Sequence, residues 1–282
     1  MGEAVTSIGM RAEALISELG ISAPDEIDIE AIAIDSGVEV QYARLNGCEA
    51  SLVGFEDRAI ATINPSAVRG RERFSIAHEI GHWHLHRGRS FQCRVDDADL
   101  NLVSDRVVEK EADTFAAHLL MPRPIFLPLV NQVGKPNFKQ LGELSARFKT
   151  SLMATALRLV NMNTLPAIVA SYTKDGRRWS LPAADIPKRW FMKWELDEDS
   201  LTYDLLHRGT EVRYLGKTPA DAWFQNDDAD RYEVLEQSVI SKAGEALVLL
   251  YLEPKMMDAG FDWNVARRYN EHGSYVPKGR RR

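Results

Sequence analysis

The chain of 282 residues predicts an α+β fold in three parts: a mixed N-terminal domain, a helix-turn-helix-like helical segment and a small C-terminal α/β domain. Three observations carry that prediction. Strand-like runs stand ahead of a buried-helix pattern over Arg73 to His86. Pro122, Pro124, Pro128 and Pro136 mark a change of organisation. Two amphipathic runs come next, and from Pro166 the apolar residues gather in pieces of strand length. The corresponding boundaries are 1–130, 131–163 and 164–255, with 256–282 a C-terminal extension that ends in a basic tail.

In chain order, a helix is expected over residues 7 to 19, stopped by Gly20, and a second from Asp28 to Gly37. Val38 to Arg44 reads as a strand. Ala50 to Phe55 and Arg58 to Asn64 read as a hairpin turning at Glu56-Asp57. The next helix contains His78-Glu79-Ile80-Gly81-His82, an H-E-x-x-H motif. Residues i and i+4 lie one turn apart on one helix face, so His78 and His82 can converge on a single ion. Glu79 then stands beside that ion, where a carboxylate can take a proton from water. Phe74, Ala77 and Leu85 share the histidine side, while Ile76, Ile80 and Trp83 form a second apolar side, as a buried helix requires. Gly88 is the expected stop. His86 lies too far along the helix to share an ion with His78 and reads as a supporting or packing residue; His84 is expected to be exposed, and His207 and His272 receive no role.

Catalytic zinc takes three protein ligands and keeps one position open. The following helix, capped by Ser104 or Asp105 and ended by Met121-Pro122, supplies candidates in Glu109 and Glu111. Glu109 shares a stripe with Ala112, Asp113, Ala116 and Leu120 beside the apolar side and is preferred as the third ligand; Glu111, aligned with Thr114 and His118, stays open as the alternative. Asp113, one turn from Glu109, can accept a hydrogen bond from a ligand imidazole. Zinc is the expected metal, with manganese or iron compatible with the same ligand types.

The formal net charge of −6 argues against a protein that holds nucleic acid by overall charge. Two isolated cysteines, Cys48 and Cys93, suggest neither a disulfide framework nor a thiolate site. Acids interrupt every apolar run of the first 20 residues, and no stretch reaches the roughly 20 apolar residues of a membrane span. A soluble, cytoplasmic protein with no membrane partner is expected.

The run RFSIAHEIGHWHLH, followed by EKEADTFAAHLLMP, resembles the ImmA/IrrE family of bacterial metallopeptidases over residues 25 to 163. That resemblance implies a zincin-like domain, with Glu109 binding zinc and Asp113 supporting a histidine. It also implies an endopeptidase that cleaves a helix-turn-helix repressor of the xenobiotic-response type and so derepresses its genes. His118 departs from the glutamate or glutamine of many relatives, which alters the rim of the site. If Arg58 to Asn64 is the sheet edge beside the metal, substrate can add to it as an extra strand, and this edge reading is preferred to an internal strand.

Phe138 to Phe148 and Ser151 to Val160 form a helix pair with Leu141, Leu144, Phe148, Leu152, Ala156 and Leu159 as its apolar set. Lys139, Arg147, Lys149 and Arg158 against Glu143 give it a local charge of +3. Direct DNA binding there is not favoured, because such pairs more often serve packing. Ala167 to Tyr172, Thr210 to Leu215 and Ala246 to Leu252 are the expected strands of the last domain, which resembles the sensor-like domains of family members; Asp227, Asp228 and Asp230 read as a solvated loop. The rival to the peptidase is a regulator that uses a structural metal and binds DNA, leaving Glu79 idle.

Overall fold

The computed structural model describes residues 2–66, 69–87, 91–93, 103–242 and 244–258. The chain divides into two compact units, residues 1–162 and 163–282. Both combine helices and strands, so the α+β prediction holds at the level of class. The expected stop at Gly88, the tail beyond residue 258 with His272, and most of the loop 87–102 lie outside the described residues, as do the Ser104 and Asp105 side chains.

The first unit opens with α1 (Gly2–Glu18) and α2 (Ile29–Asp35). Asp28 caps α2 by accepting hydrogen bonds from the Glu30 and Ala31 amides at 3.1 and 3.3 Å. The strands are β1 (Val38–Tyr42), β2 (Ala50–Phe55) and β3 (Arg58–Ile63), and β4 (Phe91–Cys93) follows the site helix. Phe55 pairs with Arg58 across the expected Glu56-Asp57 turn, where Glu56 takes a φ of 52°. The sheet order is β1-β3-β2-β4. The preferred placement of Arg58 to Asn64 at an edge is therefore wrong: β3 lies inside, parallel to β1 and antiparallel to β2. Its alternation of buried Ala59, Ala61 and Ile63 with less buried residues suits an inner or an edge strand equally, so the pattern had no power to choose.

The sheet carries α3 (Arg69–Leu85), which buries Ile76, Ala77, Ile80 and Trp83. The indole of Trp83 lies over Gly54 of β2, where a Cβ would come within 2.8 Å of the ring, and its N–H donates to the Ser36 carbonyl at 2.8 Å. Next come α4 (Val103–Leu120), α5 (Arg123–Val133), α6 (Phe138–Phe148) and α7 (Leu152–Asn161). The prolines taken as a break include two inside α5. Pro124 lies in its first turn, where the amide has no helical partner, and Pro128 removes one bond from the interior.

The helix pair has the expected form. Asn137 and Gln140 cap α6 reciprocally at 3.0 and 2.9 Å, Lys149 turns the chain with a φ of 55°, and Ser151 caps α7. Of the expected apolar set only Leu152 is not fully buried. Arg158 is a different matter: it points inward, donating from Nε to the Met121 carbonyl at 2.9 Å and from Nη2 to Glu13 Oε1 at 3.1 Å. The same Glu13 oxygen accepts the Arg123 amide at 3.0 Å and lies 2.8 Å from His118 Nδ1. One carboxylate of α1 thus ties down α4, α5 and α7.

In the second unit the strands are β5 (Ala167–Thr173), β6 (Gly176–Pro182), β7 (Gly216–Pro219), β8 (Glu233–Lys242) and β9 (Glu245–Leu252), in the order β6-β5-β9-β8-β7 and antiparallel throughout. The short helices α8 (Leu201–Tyr203) and α9 (Pro254–Met257) accompany them. Two expected strands are present as β5 and β9. Thr210 to Leu215 is not a strand, and pairing begins at Gly216. Strands β6 and β8 went unpredicted because Arg177, Arg178, Glu233 and Glu236 break up their apolar content. Asp228 is buried and ion-paired to Arg189 rather than solvated.

Burial raises the Glu13 carboxyl, but the hydrogen bonds from His118 and the Arg123 amide and the charges of His118 and Arg158 outweigh it and leave the group below its usual range. A carboxyl depressed in the fold adds stability above its unfolded value of about 4.3, and that stability is lost as pH falls through the lower folded value. Urea denaturation should show Glu13→Ala losing about 3 kcal/mol at pH 7, because Arg158 is left buried without its counter-charge, and the gap to the native chain should shrink in acid.

Candidate metal centre

Helix α3 follows the sheet closely and is held by packing on its Ile76, Ile80 and Trp83 side. That leaves its histidine side facing α4. The two helices approach closely at Gly81, where a Cβ would lie 3.1 Å from the Ala112 carbonyl oxygen and 3.2 Å from the Phe115 Cβ. Any larger residue would hold α4 away. At this distance the α4 acids reach the α3 imidazoles.

His78 Nε2 and His82 Nε2 stand 3.0 Å apart, and the Glu109 carboxylate lies 3.1 Å from the first and 3.4 Å from the second. One ligand atom from each residue falls within 4.8 Å of the others. Glu111, the open alternative, is turned elsewhere: its Oε2 is 2.8 Å from His86 Nε2. Asp113 makes the expected contact, its Oδ1 lying 2.9 Å from His78 Nδ1. His86 stands beside the cluster, its Nδ1 3.2 Å from His82 Nδ1. Glu79 and His82 are fully buried, and His78 nearly so.

The electrostatics favour a cation between the imidazoles. Burial lowers the His78 imidazole, yet hydrogen bonds to Asp113 and Glu109 and the charge of Glu79 outweigh that and raise it to about 9. Burial takes His82 the other way, helped by the charge of His78. Burial raises Glu109, but bonding to both histidines carries it far below the usual carboxylate range. The carboxylates of Glu79, Glu109 and Asp113 thus make the surroundings of these two facing nitrogens favourable to positive charge. Two imidazole nitrogens and a carboxylate oxygen are the donor set of an open zinc site, with Zn–N distances of about 2.0–2.1 Å. These residues fit the metal that the sequence implies.

His84, His118 and His207 fall outside the cluster. His84 is half-buried rather than exposed: its Nε2 is 3.1 Å from Ser36 Oγ and its ring stacks on Phe115 with centroids 5.5 Å apart. His118 sits against Gly9 of α1 and lies 2.8 Å from Glu13 Oε1 through Nδ1. His207, in the second unit, stacks on Tyr203. The connection from Glu111 through His86 to His82 was not foreseen. A signal existed in the i+8 spacing of His86 from His78, but which acid would meet it depends on how α4 crosses α3.

Residues 33–160 match the family of the IrrE N-terminal-like domain, Peptidase_M78. The radiation response metalloprotease IrrE of Deinococcus radiodurans is 31% identical over 111 residues, which is 39% of this chain and 34% of that protein, so the chain spans about a third of the length of this curated relative. A Mycobacterium tuberculosis transcriptional regulator shares the fold with a TM-score of 0.55 at 14% identity, covering 88% of this chain and 76% of that one.

The close crossing yields a direct test. Gly81→Val should force α4 off α3, costing about 2 kcal/mol by chemical denaturation and weakening zinc uptake through displacement of Glu109. A variant as stable as the native chain, with unchanged zinc affinity, would contradict the crossing.

Proposed function

We propose, from the match of residues 33–160 to the IrrE N-terminal-like domain family, that the chain is a zinc-dependent endopeptidase of the ImmA/IrrE family. Its substrate in this reading is a helix-turn-helix repressor of the xenobiotic-response type, cleaved in the cytoplasm so that the silenced genes are expressed in a stress or mobile-element response. The observation that carries the proposal is the convergence of His78 Nε2, His82 Nε2 and the Glu109 carboxylate within 4.8 Å, next to a fully buried Glu79. The relative's description as a radiation response metalloprotease supports the stress setting. That no helix among the described residues is long and apolar enough to cross a membrane is consistent with it.

In this mechanism His78, His82 and Glu109 would hold the ion. When bound, zinc polarises the scissile carbonyl and brings the pKa of a water to about 7. Glu79 takes the proton of the attacking water and returns it to the leaving amine. Asp113, 2.9 Å from His78 Nδ1, would accept the proton of that nitrogen and leave Nε2 free to serve as a ligand. Manganese or iron would suit the same three donors. In this reading residues 131–163 are a helix-turn-helix-like packing segment and residues 164–255 a sensor-like domain.

The second reading is a metal-containing DNA-binding regulator without peptidase activity. Its recognition helix would be α7, whose cation Arg158 is 3% exposed and paired to Glu13, and whose open positions hold Met153 and Asn161. A helix without an accessible cation is poorly equipped to meet phosphates. The peptidase reading is preferred on that ground.

Incubating the zinc-loaded chain with the helix-turn-helix repressor encoded beside it should give one cut by intact mass, abolished by chelator. Glu79→Gln should keep zinc and lose about 10³-fold or more in cleavage rate, whereas His82→Ala should lose both. A fully active Glu79→Gln chain would remove the mechanism.

A further inference from the structure

The two ligand histidines are supported differently. His78 meets the Asp113 carboxylate directly at Nδ1, at 2.9 Å. His82, one turn deeper and fully buried, has at its Nδ1 the imidazole of His86 at 3.2 Å, and the other nitrogen of that imidazole is 2.8 Å from Glu111 Oε2. The rings of His78, His82 and His86 step along one face of α3 with centroids 4.6 and 5.4 Å apart. The His86 side chain is 9% exposed and that of Glu111 33%, so the connection leads from the buried ligand toward solvent.

We propose that His86 and Glu111 are positioning residues that orient His82 for the metal through a two-step hydrogen-bond relay. The proposal rests on the reading of His78, His82 and Glu109 as metal ligands. Once His82 Nε2 gives its lone pair to an ion, the neutral ring must carry its proton on Nδ1. That N–H faces His86 Nδ1, which must then accept, so the His86 proton sits on Nε2 and is donated to Glu111. Each tautomer is dictated by the one before it. A residue kept only for packing would have no need of a polar match at both ring nitrogens. Glu111, which the sequence left as a rival ligand, thereby acts on the ion at two removes.

The arrangement has a chemical consequence for His82. A hydrogen bond from Nδ1–H makes the imidazole a better donor to the ion and fixes its ring plane, and losing such support typically weakens metal binding about 10- to 100-fold. Phenylalanine at position 86 preserves the ring and removes both nitrogens. Asparagine restores one acceptor near the place of Nδ1. Glutamine at position 111 keeps the shape and removes the charge.

The test is zinc affinity of the full chain, measured by competition with a chromophoric chelator, together with the visible spectrum of the cobalt-substituted protein and urea denaturation of the metal-free protein. His86→Phe should bind zinc about 10- to 100-fold more weakly and shift the cobalt bands, with metal-free stability near native. Glu111→Gln should show a smaller loss in the same direction, and His86→Asn should recover part of the affinity. If His86→Phe fails to fold, the isosteric Glu111→Gln decides. Zinc affinities of His86→Phe and Glu111→Gln within twofold of native, with unchanged cobalt bands, would overturn the relay while leaving the metal centre standing. A native chain that takes up no zinc would instead overturn the metal centre and the relay with it.

Discussion

Everything at the candidate site depends on how closely α3 and α4 cross at Gly81. The absence of a side chain there puts the Ala112 backbone and Phe115 Cβ about one van der Waals contact away. That closeness brings Glu109, Glu111 and Asp113, spaced along one and a bit turns of α4, into hydrogen-bond reach of three imidazoles of α3. Either helix alone carries only a pattern. The cluster of His78, His82 and Glu109 is a property of their contact.

Such a polar cluster is costly to bury, since carboxylates and imidazoles lose their water and must be satisfied by one another. The apolar surroundings allow it. Trp83 seated over Gly54 and the Ile76 and Ile80 side chains press α3 onto the sheet, so the histidine face cannot rotate away to solvent. Glu109 meets both histidines at Nε2, while at Nδ1 His78 meets Asp113 directly and His82 meets Glu111 through the His86 ring.

A second polar contact organises the helices further from the site. Glu13 accepts from Arg158 and the Arg123 amide and binds His118, linking α1 to three later helices through one oxygen. It also turns the cation of α7 inward. A helix pair whose composition looks basic thus has less accessible charge than its sequence suggests, because burial and pairing, not residue type, decide what an outside phosphate can meet.

How much of this was legible in the sequence varies with the range of the interaction. The i, i+4 placement of His78 and His82, the caps at Asp28 and Asn137, and the Glu56-Asp57 turn all follow from spacings within one element or one turn. Strands β6 and β8 were hidden because their polar residues mask the apolar period, and β3 was misplaced at the edge because strand order leaves no trace in a half-buried alternation. The H-E-x-x-H pair and the preference for Glu109 over Glu111 were available from the chain alone, through helical geometry and apolar phase. That Glu111 meets His86, that His84 is half-buried on Phe115 and that Arg158 faces Glu13 were decided only by tertiary structure. Local periodicity determines which face a side chain occupies; the neighbour it finds there is set by the distance and angle at which another element packs.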